Sequence, residues 1–178
     1  MIIRLGLALF VFFVSLSELY SQDFRSMESS IYKSQKKAST QRIFIGGGIG
    51  FAFINNSNEG LDLNFFTEIK SDNFSIVPMA NYWKNDSKNN FEIAGLARFR
   101  VKSAAIEPYF DAGIGVNFLT DRDEDKSDTN LGIDLGAGLD FIGISDSFSI
   151  FADGKYKIIV GSPNLYYYTL IGGIKFYI

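Results

Sequence analysis

Neither cysteine nor histidine occurs anywhere in the 178-residue chain. Without cysteine there is no disulfide, no thiolate metal site and no thiol that could carry a lipid. Without histidine the commonest general base and the usual imidazole metal ligand are lost together. Positive charge is not in excess either: the net charge is −3, whereas nucleic-acid binding normally needs a basic face. Proline is scarce, at 3 residues against 17 Gly and 18 Phe. That balance points to strands and tight packing rather than helices. At this length the chain is one domain's worth of sequence.

The N-terminus reads as a secretory leader. Arg4 supplies the positive end, Leu5–Leu16 is almost purely apolar, and Ser17–Ser21 is a short polar segment with cleavage expected after Ser21. Ser15, Ser17 and Glu18 interrupt the run too early for a bilayer-spanning helix, which takes about 20 apolar residues. The expected organisation is therefore a signal peptide over residues 1–21, a polar periplasmic tail over 22–40, and a folded domain over 41–178. The tail carries Arg25, Lys33, Lys36 and Lys37, shows no alternation, and has no chemistry attached to it. Beyond the leader no long apolar run remains.

What is there instead is alternation, clearest in Asn130–Ile142. Leu131, Ile133, Leu135, Ala137, Leu139 and Phe141 are apolar, and the residues between them are Gly132, Asp134, Gly136, Gly138 and Asp140. A strand turns successive side chains to opposite faces, so this stretch has one oily face and one small, polar face. A helical period would mix the two sets. The pattern recurs and predicts eight strands: Arg42–Phe53, Gly60–Lys70, Asn73–Lys84, Phe91–Lys102, Ile106–Phe118, Asn130–Ile142, Ser147–Ile158 and Leu165–Ile178. Pro78 removes a ladder donor in the middle of the third, where a bulge is expected.

The predicted connections alternate in length. Ile54–Glu59, Asn85–Asn90, Leu119–Thr129 and Ile159–Asn164 are the longer or more polar ones, while Ser71–Asp72, Ser103–Ala105 and Gly143–Asp146 are short. An even number of antiparallel strands, with long loops at one end and tight turns at the other, is the pattern of a bacterial transmembrane barrel. A secreted soluble barrel of the lipocalin kind, binding an apolar ligand inside, is the alternative, with the faces reversed. Three features favour the apolar face outward. An eight-stranded barrel has an interior only just wide enough for side chains, so the Gly, Ser, Asn and Asp face belongs inside. Apolar-face aromatics such as Phe53, Tyr82, Phe118 and Tyr166 gather near strand ends, as interfacial girdles do. Strands of about 11 residues also match the roughly 9–11 needed to cross at a tilt.

On these residues the chain resembles the small outer-membrane β-barrel family, of the type of outer-membrane protein X and the OmpA transmembrane domain. The resemblance covers Arg42–Ile178 and rests on Pro108–Val116 (PYFDAGIGV), Leu131–Phe141 (LGIDLGAGLDF) and the aromatic-ended last strand. Such barrels usually end in Phe, whereas this sequence ends Phe176-Tyr177-Ile178. The resemblance implies an eight-stranded antiparallel up-and-down barrel, a monomer placed in outer-membrane lipid by the outer-membrane assembly machinery. It leaves any extracellular partner unnamed.

Three stretches invite chemistry. Asp121–Asn130 (DRDEDKSDTN) has alternate carboxylates, but a calcium loop needs Gly at its sixth position and Glu at its twelfth, where this chain has Lys126 and Gly132. It reads as a solvated loop, and no metal site is expected. The Gly46–Gly50 cluster precedes no helix, so it reads as close packing rather than a phosphate cradle. Some small barrels of the family are lipid-modifying enzymes that pair Ser or Asp with His. Since this chain has no His, the expectation is no catalytic residue, no cofactor and a non-enzymatic structural or surface-interaction role. A narrow small-solute channel is a further alternative.

The candidate functional residues are the charges on the small-residue face: Arg98, Arg100, Glu107, Asp111, Asp134, Asp140, Lys155 and Lys157. Unpaired charge in a narrow low-dielectric interior is costly, so these are expected to pair. Arg100 and Glu107 are expected to be the nearest partners, and Asp134 is expected to meet Lys155 and Lys157. The arrangement reads as a plug more readily than as a gated pore, because eight strands leave little open lumen.

Overall fold

The computed structural model describes residues 42–178 apart from 55–58, 104, 143, 146, 162 and 163. The expected leader and tail lie outside the described residues. Eight strands follow one another as β1 (Arg42–Ile54), β2 (Glu59–Ser71), β3 (Phe74–Lys84), β4 (Lys88–Arg100), β5 (Ile106–Asp121), β6 (Lys126–Phe141), β7 (Phe148–Val160) and β8 (Leu165–Tyr177). Each pairs antiparallel with the next, and β1 pairs with β8, so the sheet closes on itself. Closure leaves no unpaired edge, which a sheet in hydrocarbon requires.

The wall has two chemically opposite faces. Outward positions are apolar or small on every strand, for instance Ile45, Ile49 and Phe51 on β1, Leu135 and Leu139 on β6, and Leu170 and Ile174 on β8. Ile114 is 71% exposed and Phe65 58%, values that would be costly in water. Between Ile43 and Phe53, Leu61 and Ile69, Phe74 and Tyr82, and Phe91 and Phe99 no outward residue is charged, and the other four strands behave alike. This is a lipid-facing belt. A soluble barrel with an apolar interior is excluded, because the charges are the buried set: Asp62, Glu68, Glu92, Arg98, Arg100 and Lys157 are all at most 3% exposed.

Several local expectations are corrected. Pro78 forms no bulge: Phe66 faces Met79 and Ile69 faces Ile76 in one unbroken register. Pro78 interrupts the ladder only toward β2, while on its other side it stays paired with Gly95. β5 and β6 run further than expected, to Asp121 and from Lys126, so the predicted loop Leu119–Thr129 is mostly ladder with a tight turn at Arg122–Asp125. The Asp121 carboxylate accepts the Asp123 and Glu124 amides at 3.1 and 3.3 Å, and Asp125 takes the left-handed conformation at φ 49°. Cross-strand bonding therefore prevails over the polarity that suggested a loop. β4 starts at Lys88 and stops at Arg100, which puts Lys102 outside the sheet and in solvent. The expected difference in connection length between the two ends is absent, because the strands extend into the predicted long loops. Connections 85–87 and 122–125 at the loop end are no longer than 101–105 and 142–147 at the other.

Candidate functional site: the lumen and the outer wall

The inward series along a strand is layered. Moving from the end with the β2–β3 turn, β2 presents Glu68, Phe66, Asn64 and Asp62; β4 presents Arg100, Arg98, Leu96, Ala94, Glu92 and Asn90; β8 presents Lys175, Ile171, Thr169 and Tyr167. Charge, an apolar belt, polar groups and an aromatic cap succeed one another. All eight candidate residues from the sequence point into this lumen and are buried.

The floor is an ionic lattice. Arg98 donates to Asp111 through Nε at 2.7 Å and Nη2 at 2.8 Å, a two-pronged geometry that a carboxylate suits well. Its guanidinium also lies 3.8 Å from the centre of the Tyr109 ring, and Tyr109 donates its hydroxyl to Asp153 at 2.7 Å. Arg100 pairs with Glu68 and Asp140, and Lys175 reaches the same two carboxylates at 3.1 and 2.7 Å. Lys155 pairs with Asp153 and lies 3.7 Å from Asp111. Glu107 lies nearest Lys70, at 2.8 Å, with Arg100 a longer ion-pair partner at 3.8 Å. The expected Arg100–Glu107 pair is present but is not the nearest one for either residue, because the register sets Arg100 opposite Tyr109 and Arg98 opposite Asp111.

Above the floor, Phe66, Val77, Met79, Ala94, Leu96, Phe151 and Ile171 form an apolar belt inside the barrel. Phe66 and Phe151 meet edge to face with centres 5.3 Å apart. Glycines make their room: a Cβ on Gly46 would stand 2.5 Å from Phe66 Cζ, and one on Gly173 2.5 Å from Phe151 Cζ. A cavity of about 10 Å³ remains beside this belt, enough for roughly one water. Sequence reasoning missed these inward apolar residues. Their signal was the apolar doublets Phe65-Phe66, Ile76-Val77 and Ile150-Phe151, which break strict alternation.

The next layer holds Lys157, paired with Glu92 and lying 3.3 Å from Asp134. Asn117 donates to Glu92 at 3.3 Å, Asn90 to Asn117 at 2.8 Å, and Asn81 to Asp62. Lys155 does not join Asp134, which it was expected to meet. Trp83 and Tyr167, with ring centres 5.4 Å apart, close the loop end together with Ala52, Ile54 and Ile159.

Two features mark the outside. At the loop end Lys88 lies 3.0 Å from Asp121, and its hydrogen bond holds that carboxyl below the usual carboxylate range. The Thr120 and Ser127 hydroxyls are 3.2 Å apart just past the apolar belt. On the lipid face, Gly154 and Ala137 leave a recess of about 390 Å³, flanked by Leu135, Tyr156, Tyr168 and Leu170. Among the described residues no group of three carboxylates is arranged to hold a metal ion.

Residues 73–145, from β3 through β6, match the sequence profile of the family described as lipid A 3-O-deacylase (PagL). This overturns the reading of the chain as a non-enzyme, because the matched family is one of enzymes. No curated protein matches. The fold is similar to that of Neisserial surface protein A, at TM-score 0.65 and 12% identity over 77% of this chain and 96% of that one. It is also similar to the N-terminal β-barrel domain of Pseudomonas aeruginosa OprF, at TM-score 0.55 and 14% identity over 76% of this chain and 98% of that one. The outer membrane enzyme PagL aligns at TM-score 0.49 and 18% identity, over 76% of this chain and 99% of that one. With an uncharged belt and a closed antiparallel sheet, the chain has the fold of the small eight-stranded bacterial outer-membrane β-barrels, as Neisserial surface protein A and the OprF barrel domain show it.

Proposed function

We propose that this barrel works from its wall and loop end, on or with an acylated glycolipid of the outer leaflet, and that it conducts no solute. The observation that carries this reading is the filled lumen. An ionic floor, an apolar belt and an aromatic cap follow one another, with a cavity of only about 10 Å³ beside the belt. A solute path would have to break buried pairs such as Arg98–Asp111, at roughly 3–5 kcal/mol for each one separated. The wall and loop end remain as the surfaces open to another molecule. The profile match over residues 73–145 supports lipid A as the ligand class.

Ester cleavage is the reaction that match puts first. With no histidine in the chain, an imidazole cannot be the base, and hydroxyl, carboxylate or amine groups would have to serve. In the matched stretch, Thr120, Ser127 and Thr129 carry hydroxyls just past the outward apolar belt, the first two 3.2 Å apart. The test uses the purified barrel in vesicles made with lipid A or with an anionic phospholipid. Binding is read by cosedimentation, acyl loss by mass spectrometry and conductance in a planar bilayer. Saturable preference for lipid A, without a stable pore, is expected. Acyl release that falls in Ser127→Ala would identify the reaction. Equal binding of both lipids, or a reproducible pore, would overturn the proposal.

A further inference from the structure

The ionic floor balances itself. Lys70, Arg98, Arg100, Lys155 and Lys175 face Glu68, Glu107, Asp111, Asp140 and Asp153, one carboxylate for each cation. The layer above does not. There Asp62 on β2, Glu92 on β4 and Asp134 on β6 share only Lys157 on β7 among the described residues. The other strands bring no compensating charge: Asn81 and Trp83 face the layer from β3, Asn117 from β5, Thr169 and Tyr167 from β8, and Ala52 from β1. Lys155, the next cation along β7, is already held by Asp153 and Asp111.

A second, independent observation comes from the hydrogen bonds. Asp62 Oδ2, Asp134 Oδ1, Asn81 Oδ1 and Asn90 Oδ1 are all buried acceptors without a donor among the described residues. Asp62 and Asp134 are fully buried. The layer therefore lacks positive charge where these carboxylate oxygens stand without a hydrogen bond. The Trp83 Nε1, Tyr167 hydroxyl and Thr169 hydroxyl of the same layer are themselves unpaired among the described residues and do not bond to them. Two uncompensated negative charges in a low-dielectric interior cost several kcal/mol each, and the orphaned acceptors add to that. A bound metal ion would answer the charge but not the geometry, since no three of these carboxylates are placed to hold one.

We infer that the outer half of the lumen is a proton-binding site, in which Asp62 and Asp134 carry protons at neutral pH and use them as donors within the layer. A neutral carboxyl supplies an O–H that a carboxylate lacks, and it removes one negative charge for each proton taken up. The sign of the linkage follows. The folded barrel binds protons that the unfolded chain, with ordinary carboxylates, has released, so stability falls as pH rises through their loss.

The test is infrared spectroscopy of the full chain in zwitterionic phosphatidylcholine vesicles, titrated from acid to alkaline pH. Each titration is run with chelator and again with added sodium or calcium. The expected result is a neutral carboxylic-acid carbonyl band at pH 7, indifferent to metal and chelator, reduced in Asp62→Asn and again in Asp134→Asn. Asp62→Asn should also flatten the loss of stability toward alkaline pH. The wild-type spectrum decides the matter even if a variant fails to fold, and Glu92→Gln offers a third replacement in the same layer. Absence of the band at neutral pH, or a band that appears only when metal is removed, would overturn the inference.

Discussion

Arg98 and Asp111 stand opposite each other across the β4–β5 ladder and are joined by two nearly equal hydrogen bonds, 2.7 and 2.8 Å long. Their side chains are 4% and 0% exposed. Removing one partner strands a buried charge, which typically costs about 3–5 kcal/mol. Asp111→Ala leaves Arg98 with Glu68 at 3.5 Å and Asp153 at 3.6 Å, both longer contacts. Asp111→Ala and Arg98→Ala should each destabilise the barrel by about that amount, and the double variant by clearly less than their sum. Urea unfolding from vesicles measures the cycle. Strict additivity would show that the pair is not coupled.

Depth should govern tolerance on the lipid face. Leu135 and Thr129 share the outward face of β6, but Leu135 lies within the apolar belt and Thr129 beyond its last member, Leu131. Leu135→Arg should cost about 2–4 kcal/mol if the residue sits near the midplane, and Thr129→Arg about 0–1 kcal/mol near the interface. Equal costs, read from the same unfolding experiment, would contradict the placement of the belt.

Glycines differ in what surrounds them. A Cβ on Gly50 would lie 1.8 Å from the Leu170 carbonyl oxygen and 2.7 Å from Ile171 Cα, both backbone atoms of β8 that cannot step aside. Gly50→Ala should therefore force β1 from β8 and lose about 1–3 kcal/mol or more. Around Gly95 nothing lies within 4 Å of the added carbon. Gly95→Ala should stay within about 0.5 kcal/mol of the parent. Heat-dependent mobility of the folded band on a detergent gel separates the two outcomes quickly.

Orientation can be read with trypsin. Arg122 sits in the exposed turn between β5 and β6, and Lys102 in the exposed connection at the opposite end. The first and last strand ends, Arg42 and Tyr177, lie at the Lys102 end, which the expected periplasmic tail places on the periplasmic side. Intact cells should be cut at Arg122 first, and at Lys102 only once the outer membrane is opened. The reverse order would invert the barrel.

How far the sequence reaches is seen in single positions. Asp134, Asp140 and Lys157 are legible as lumen residues because they alternate with apolar neighbours such as Ile133, Leu139 and Ile158, and parity alone then fixes their side. Phe66 and Phe151 were hidden, since an apolar residue of inward parity resembles a lapse in the pattern. Their places depend on Gly46, Gly48 and Gly173, which lie on other strands and become neighbours only after closure. The nearest Arg100 partners were illegible for a related reason. Register between β4 and β5 decides them, and Glu68 and Asp140 come from strands distant in sequence.

The seam between β1 and β8 has a consequence for how the molecule can come apart. Phe44 faces Tyr177 and Ile54 faces Tyr167 along it, so one 13-residue strand completes the ring begun by another 13-residue strand. Take β8 away and β1 and β7 each expose a row of bare amide and carbonyl groups. In hydrocarbon every such group is penalised by several kcal/mol. A seven-stranded remnant is thus no weakened barrel but a sheet that does not belong in lipid at all. Until the last strand has zipped home, both open borders need water or a borrowed strand beside them.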